Sequence, residues 1–236
     1  MHGQAISKVL LACHILIFSK GTYMDYIMML LPPMINGWAV TMQLFFLTLV
    51  LALPVGVLMG IARLSHWKPL RWFMEFYVWL FRGTPLLLQL LFFYFGLMTV
   101  GLRLERFPAA LLAFVLNYSA YFAEIFRSGI QSIDQGQYEA ADVLGLNRKQ
   151  TMSKIVLPQV FKRVLPPIGN EVINLVKDSA LIYILAISEV LRVAKTAVLR
   201  DDSFIPFLIA AVFYLLMTAL VQQFFKWMEV KFDYYR

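Results

Sequence analysis

The chain is short of several things that most functional classes need. It has one cysteine, Cys13, among 236 residues, so an internal disulfide and a cysteine metal cluster are excluded. Its three histidines, His2, His14 and His66, are scattered. They lie at the N-terminus and in the first charged connection, badly placed to serve as a base for an intramembrane hydrolase, which needs nucleophile and base together at depth. No G-x4-G-K-[ST] phosphate loop occurs anywhere, so the chain has no nucleotide site of that kind. Charge is scarce as well: 15% of residues are charged, where an average soluble domain has roughly a quarter. What fills the gap is apolar. Hydrophobic residues make up 61% of the chain and the mean hydropathy is +0.71. They come in long runs, which points to a bilayer rather than a large soluble core. The net charge of +7 then reads as a positive-inside bias, and not as a surface for nucleic acid.

The runs predict an all-α, polytopic integral membrane protein with five transmembrane helices. The spans fall at about 38–61, 72–100, 107–127, 164–187 and 204–226. Residues 1–35 form an N-terminal extracytoplasmic or interfacial segment. Within it Ile6 to Phe18 is apolar but too short to span, and no small-residue cleavage site follows. Residues 36–230 make the transmembrane domain, with a polar loop at 132–158, and 231–236 form a cytoplasmic tail. With five spans the connections fall into two sets. Arg63–Arg71, Phe126–Arg163 and the stretch after Phe225 hold twelve Lys and Arg; the N-terminus, Gly101–Arg106 and Ser188–Ser203 hold seven. The richer set belongs in the cytoplasm, which puts the N-terminus outside and the C-terminus inside. Trp38, Trp67, Trp72 and Trp227 lie near the proposed span ends, as interfacial belts require.

Ionisable groups at membrane depth are expensive and must pair or line a cavity. Glu124 and Arg127 stand three apart, on one helix face, and can pair. Arg82 precedes Gly83-Thr84-Pro85, where proline should kink or break the second span; Arg82 and Pro85 are therefore a packing hinge or a gate. Glu171 follows Pro166, Pro167 and Gly169 and sits three residues before Asn174. Interrupted helices in transporters tend to mark the substrate site, so this fourth span is expected to be broken, with Glu171 facing an ammonium or cationic group. Its alternative is a structural pair with Lys177. Asn117 and Ser119 could add hydrogen-bond donors, and Lys177 and Asp178 could neutralise each other. Ala52, Gly56 and Gly60 recur every four residues, a stripe that permits close helix packing.

The polar loop has structure of its own. Gly136 to Leu144 is rich in good helix formers, with Asp134 placed as an N-cap and Gly145 suited to the left-handed residue that ends a helix. Ala140 and Ala141 offer little bulk, so another surface can approach. Seven residues, Glu139, Ala140, Ala141, Gly145, Ile155, Leu157 and Pro158, recur in a fixed pattern, EAA-x3-G-x9-I-x-LP.

In that pattern the chain resembles the membrane-spanning permease subunit of ATP-binding cassette importers, in the polar amino-acid uptake branch. Further matching blocks are Phe81-Arg82-Gly83-Thr84-Pro85-Leu86, Tyr121 through Gln131, Gly169-Asn170-Glu171 and Lys177-Asp178-Ser179-Ala180-Leu181, and the resemblance covers roughly 35–236. It implies that the loop helix between the third and fourth spans couples to a separate ATPase subunit. Glu139 would contact that subunit and Gly145 would allow the turn. It implies a second permease subunit, identical or paralogous, and an extracytoplasmic amino-acid-binding protein. It also implies alternating access as the mechanism, a polar amino acid as cargo and a bacterial-type inner membrane as location. ATP would be bound by the partner, and the chain itself would have no cofactor and catalyse no reaction. A different class remains open on residues alone: a stand-alone ion-coupled secondary transporter or channel using Glu124 or Glu171 as an ion ligand.

Overall fold

The computed structural model describes residues 20–232, and all their regular secondary structure is helical. Helix α1 (Lys20–Ala62) is followed by α2 (Lys68–Gly83) and α3 (Leu86–Thr99), the latter carrying a π-turn at Phe92–Gly96. Helix α4 is Arg106–Gln131, α5 is Gln135–Val143 and α6 is the short Arg148–Thr151. A π-turn at Met152–Val156 leads into α7 (Leu157–Asp178), a 3-10 helix covers Ser179–Leu185, and α8 (Val190–Asp201) and α9 (Ile205–Lys231) close the chain.

Helix α1 begins well before the expected first span and passes Pro32, Pro33 and Pro54 without a break. At 1.5 Å per residue its 43 residues extend about 64 Å, twice the roughly 30 Å of a hydrocarbon core. Its C-terminal half is the part that packs on α4. Gly56 and Gly60 explain how closely: a Cβ at Gly56 would stand 2.4 Å from the Cβ of Phe122, and one at Gly60 would stand 2.9 Å from the carbonyl of Ala123. The small-residue stripe therefore serves packing within this chain, as Ala52, fully buried, also does.

Among the described residues, three helices are long and apolar enough to cross a membrane: α1, α4 and α9. The α2–α3 pair passes the same test jointly, but its two halves meet at 103°. The second span is therefore broken at Gly83-Thr84-Pro85, where its proline predicted a kink or a break. Conversely, α7 is not broken where the prolines predicted. It is continuous through Pro158, Pro166, Pro167 and Gly169, and its irregular backbone lies at its two ends. The 3-10 segment stops at Ala186, in the left-handed region with φ 59°.

The core is apolar and aromatic, with Phe114, Tyr118 and Phe122 of α4 almost wholly buried among residues of α1, α3 and α7. The outer surface is apolar too: Trp72, Phe76 and Trp79 on α2 and Leu215, Leu216 and Leu220 on α9 are exposed, a girdle that only lipid or another subunit could cover favourably. At the opposite end from Gly60, Glu189 caps α8, accepting from the backbone N–H of Leu191 (2.7 Å) and Arg192 (2.6 Å) and from Tyr214 Oη (2.9 Å). Gly37 of α1 lies directly against it. Tyr26 Oη donates to Asp201 at 2.7 Å, tying the far end of α1 to α8. Hydrogen bonds from Arg200, then from Tyr26, hold the Asp201 carboxyl down at about 2. Its charge therefore survives as pH falls until about that value.

Candidate functional site

The bend between α2 and α3 is built by side chains. Thr84 and Pro85 are both extended, which leaves carbonyls at the end of α2 without helical partners. Gln89 Nε2 reaches back to the Phe81 carbonyl (2.9 Å), the Thr84 carbonyl (3.1 Å) and Thr84 Oγ1 (2.8 Å). Asn117 Nδ2, from α4, donates to the same Phe81 carbonyl and to Gln89 Oε1, both at 3.0 Å. Two buried amides thus satisfy the groups that the bend frees, as buried polar groups must be satisfied.

Beside the bend lies a cavity of about 620 Å³. Its walls come from Arg82 and the Thr84–Leu87 turn, from Asn117, Tyr118 and Tyr121 of α4, and from Glu171, Asn174 and Asp178 of α7. Tyr118 Oη donates to Asp178 Oδ2 at 2.7 Å. The Arg82 guanidinium sits 5.3 Å from the centre of the Tyr121 ring. The cavity thus has a cationic wall, an acidic wall and two aromatic rings, in a size range suited to a small polar molecule.

The structure brings together Asn117, Glu171 and Asn174 as the sequence suggested, and adds Arg82, Pro85 and Asp178 to the same cavity. Ser119 does not belong there: it is fully buried, donates to the Val115 carbonyl at 2.6 Å and faces α1. Its position two residues after Asn117 turns it to the other side of α4. Lys177 is exposed and does not line the cavity, and Asp178 takes its hydrogen bond from Tyr118. Glu124 and Arg127 pair as expected, but Arg63, just after α1, also donates to Glu124, and Arg82 approaches it at 3.7 Å. Tyr118, Tyr121, Gln89 and Arg63 were missed. Gln89 carried a usable signal, because a lone amide in an apolar run needs a partner.

On the other end of α7 is the polar loop. Asp134 Oδ1 accepts from Gly136 N at 2.7 Å, capping α5 as its sequence predicted. Gly145 has φ +69° and the Leu146 N–H returns to the Ala141 carbonyl at 3.0 Å, a left-handed helix stop. Ala141 is fully buried. Its small size therefore admits its own chain rather than a partner, while Glu139 and Ala140 are exposed. The most open apolar groups are Val143 and Leu144, 87% and 74% exposed. Ile155 and Pro158 line a shallow hollow with Gln137 and the cations Lys154, Lys162 and Arg163, and Leu157 is half exposed beside them. Gln159 Nε2 donates to Gln137 Oε1 at 3.1 Å, joining α5 to the start of α7.

A charged cavity inside an apolar helical bundle, joined by one helix to a polar surface loop, defines a membrane transport subunit. Residues 52–234 match the family described as binding-protein-dependent transport system inner membrane component, and the chain belongs to that family, as an amino-acid transporter permease of the ATP-binding cassette class. It is 36% identical over 81% of its length to the arginine transport system permease protein ArtQ of Bacillus subtilis, 88% of which is covered. It is 36% identical over 84% of its length, and 91% of the relative's, to the putative glutamine transport system permease protein GlnP of Rickettsia conorii. Among solved structures it is similar to an amino acid ABC transporter crystallised with histidines, at a TM-score of 0.82 and 33% identity, covering 91% of this chain and 99% of that one. The MetNI methionine transporter shares the fold, at a TM-score of 0.69 and 20% identity, over 88% of this chain and 98% of that one.

Proposed function

We propose that this chain forms the translocation path of an ATP-driven importer for polar amino acids, with the cavity at the bend as its substrate site and α5 as the contact for a separate ATPase. One observation carries the reading: α7 runs unbroken from the loop residues Leu157 and Pro158, just after the π-turn that holds Ile155, to the cavity residues Glu171, Asn174 and Asp178. A displacement applied at α5 reaches α7 through the Gln137–Gln159 hydrogen bond and is delivered to the cavity wall by a rigid rod. Val143 and Leu144 are the apolar anchors of that contact, with Glu139 and Ala140 on the same exposed surface.

The span count that fits the reading is five: the C-terminal part of α1, the bent α2–α3 pair, α4, α7 with its 3-10 extension, and α9. The Lys and Arg distribution supports α5 in the cytoplasm, the N-terminus outside and the C-terminus inside, in a bacterial-type inner membrane. ATP is bound by the ATPase pair, whose closure draws two permease subunits together, and an extracytoplasmic binding protein delivers the amino acid. Glu171 and Asp178 offer the ammonium group its counter-charge. An ion-coupled carrier would use Glu124 or Glu171 as an ion ligand but leaves the fixed loop pattern without a role.

The test is reconstitution with ATPase and binding protein. Gly145→Val strains a left-handed residue and displaces Val143 and Leu144. It is expected to cut uptake at least tenfold while membrane insertion stays normal and ATP hydrolysis no longer follows substrate. Unchanged uptake would remove α5 from the coupling path, and uptake by the permease without any ATPase would favour the ion-coupled carrier instead.

A further inference from the structure

The shallow hollow between α5 and α7 carries charge of one sign. It encloses about 680 Å³, and its wall holds Lys154 from the π-turn, Lys162 and Arg163 from α7, and the amides of Gln137 and Gln159. Among the described residues no acid lines it; Glu229 borders Lys162 in a separate hollow beside α9. Arg163 is anchored through one nitrogen. Its Nη1 donates to the Ser132 carbonyl and to Ser132 Oγ, the latter at 3.0 Å, while Nε and Nη2 donate no hydrogen bond among the described residues. The amides are arranged in the same sense. Gln159 Nε2 donates to Gln137 Oε1 at 3.1 Å and to the Ile155 carbonyl at 3.0 Å. Gln137 therefore has its oxygen occupied and its Nε2 donors unpaired among the described residues. Positioned donors around a cationic hollow suit an anion.

The surroundings indicate which anion. Leu157 and Phe161, one turn apart on α7, stay 46% and 41% exposed. The Phe161 ring meets the Phe232 ring at 5.0 Å, which brings the start of α7 level with the end of α9. There Trp227 is exposed, with Lys231 Nζ 4.9 Å from the centre of its ring. Tryptophan and lysine at the end of an apolar span mark the headgroup level, and basic pockets between spans on the cytoplasmic side hold anionic headgroups. From this geometry we infer that the hollow binds the phosphodiester headgroup of an anionic phospholipid from the cytoplasmic leaflet. Arg163 presents its fork to the phosphate, Lys154 and Lys162 act as point charges, and Gln137 adds a neutral donor. Leu157 and Phe161 give the acyl chains an apolar surface to follow. An acidic protein surface would meet the same cations but leaves that apolar flank without a role. The headgroup sits astride α5 and α7, beside the Gln137–Gln159 bond, and reinforces that joint. The inference rests on the reading that α5 is cytoplasmic and adds a lipid to its contact with α7.

The experiment titrates the permease–ATPase complex in detergent with dioctanoyl phosphatidylglycerol, with dioctanoyl phosphatidylcholine and with inorganic phosphate, and reads bound lipid by native mass spectrometry. A basic residue beside an anionic headgroup contributes about fivefold, so wild type should prefer phosphatidylglycerol by about tenfold to hundredfold. Lys154→Gln should lower that preference about fivefold, and Lys154→Gln combined with Arg163→Gln should bring it below about threefold. The single variant changes only an exposed side chain and serves where the double variant does not fold. Lys226→Gln alters a cation of α9 outside the hollow and should leave the preference as it was; an equal fall there would mean diffuse surface charge and overturn the site. Phosphate that displaces the lipid at matched concentration would make the site one for the free ion and overturn the lipid assignment. So would release of the ATPase from the double variant, on gel filtration, with the lipid preference intact, because the hollow would then be a protein contact. Uptake in Gly145→Val keeps the underlying reading separate. Impaired uptake there, with no lipid preference in wild type, would sink the lipid site alone; unchanged uptake with the preference present would remove α5 from coupling and support the lipid site.

Discussion

Two proline sites in this chain meet opposite fates. At Gly83-Thr84-Pro85 the helix stops and restarts at 103°; at Pro166-Pro167 it continues without interruption. Local chemistry ranks them the other way, since two consecutive prolines remove two backbone donors and disfavour the helical region for the residue before them. The difference lies in what surrounds each. The bend has Gln89 and Asn117 to take the freed Phe81 and Thr84 carbonyls, so both of these are paired. The α7 prolines have buried apolar neighbours instead: Val164, Leu165, Ile168, Gly169 and Val172 are all buried against α4 and α9. Leaving the helix there would tear open that packing and expose backbone with nothing to receive it. A proline therefore breaks a membrane helix when amides are at hand to receive the break, and is tolerated when packing holds both sides.

The sharpest way to break the comparison is to remove the amides. Gln89→Leu and Asn117→Leu should each destabilise the protein by about 1–3 kcal/mol, because the first removes the donor to the Thr84 carbonyl and the second leaves the Gln89 side-chain oxygen unpaired. In the double mutant the two losses should not add, since both side chains serve the Phe81 carbonyl. Thermal unfolding in detergent reads this out, and additive losses would mean that the amides do not act together. A second test attacks α7. A Cβ at Gly169 would lie 3.0 Å from the Phe225 ring, so Gly169→Val should cost about 1–3 kcal/mol through overpacking. A melting temperature equal to wild type would show that packing does not hold that helix. The smallest effects come from the prolines themselves. Pro85→Ala and Pro166→Ala should each change stability by less than about 1 kcal/mol. Spin labels on α2 and α3 should report the same distance in Pro85→Ala as in wild type; a straightened pair would return the bend to the proline.

Much of the candidate site was legible because its residues are costly where they stand. Asn117, Glu171, Asn174, Arg82 and Asp178 drew notice as polar groups in apolar runs, and the bilayer makes that signal loud. Tyr118 and Tyr121 were invisible, because an aromatic residue in a membrane helix is equally at home in core, belt or cavity. Ser119 was misplaced because one sequence cannot say which face of α4 looks inward. Ala141 was read as a docking residue for its small size, when the surface it admits is its own chain. Val143 and Leu144, the most exposed apolar groups of the loop, were hidden by the same ambiguity: a hydrophobic residue on a short helix is as easily buried as presented.

By itself the sequence determined the all-helical membrane class, the position of the polar loop with its cap and its left-handed stop, and the family. Those follow from hydrophobic length, charge and spacing along the chain, which are local and one-dimensional. Only the tertiary structure decided which prolines bend the backbone, that three arginines share one glutamate, and that α7 joins the loop to the cavity. These depend on which donors and side chains arrive from distant helices, and no window along one segment contains that information.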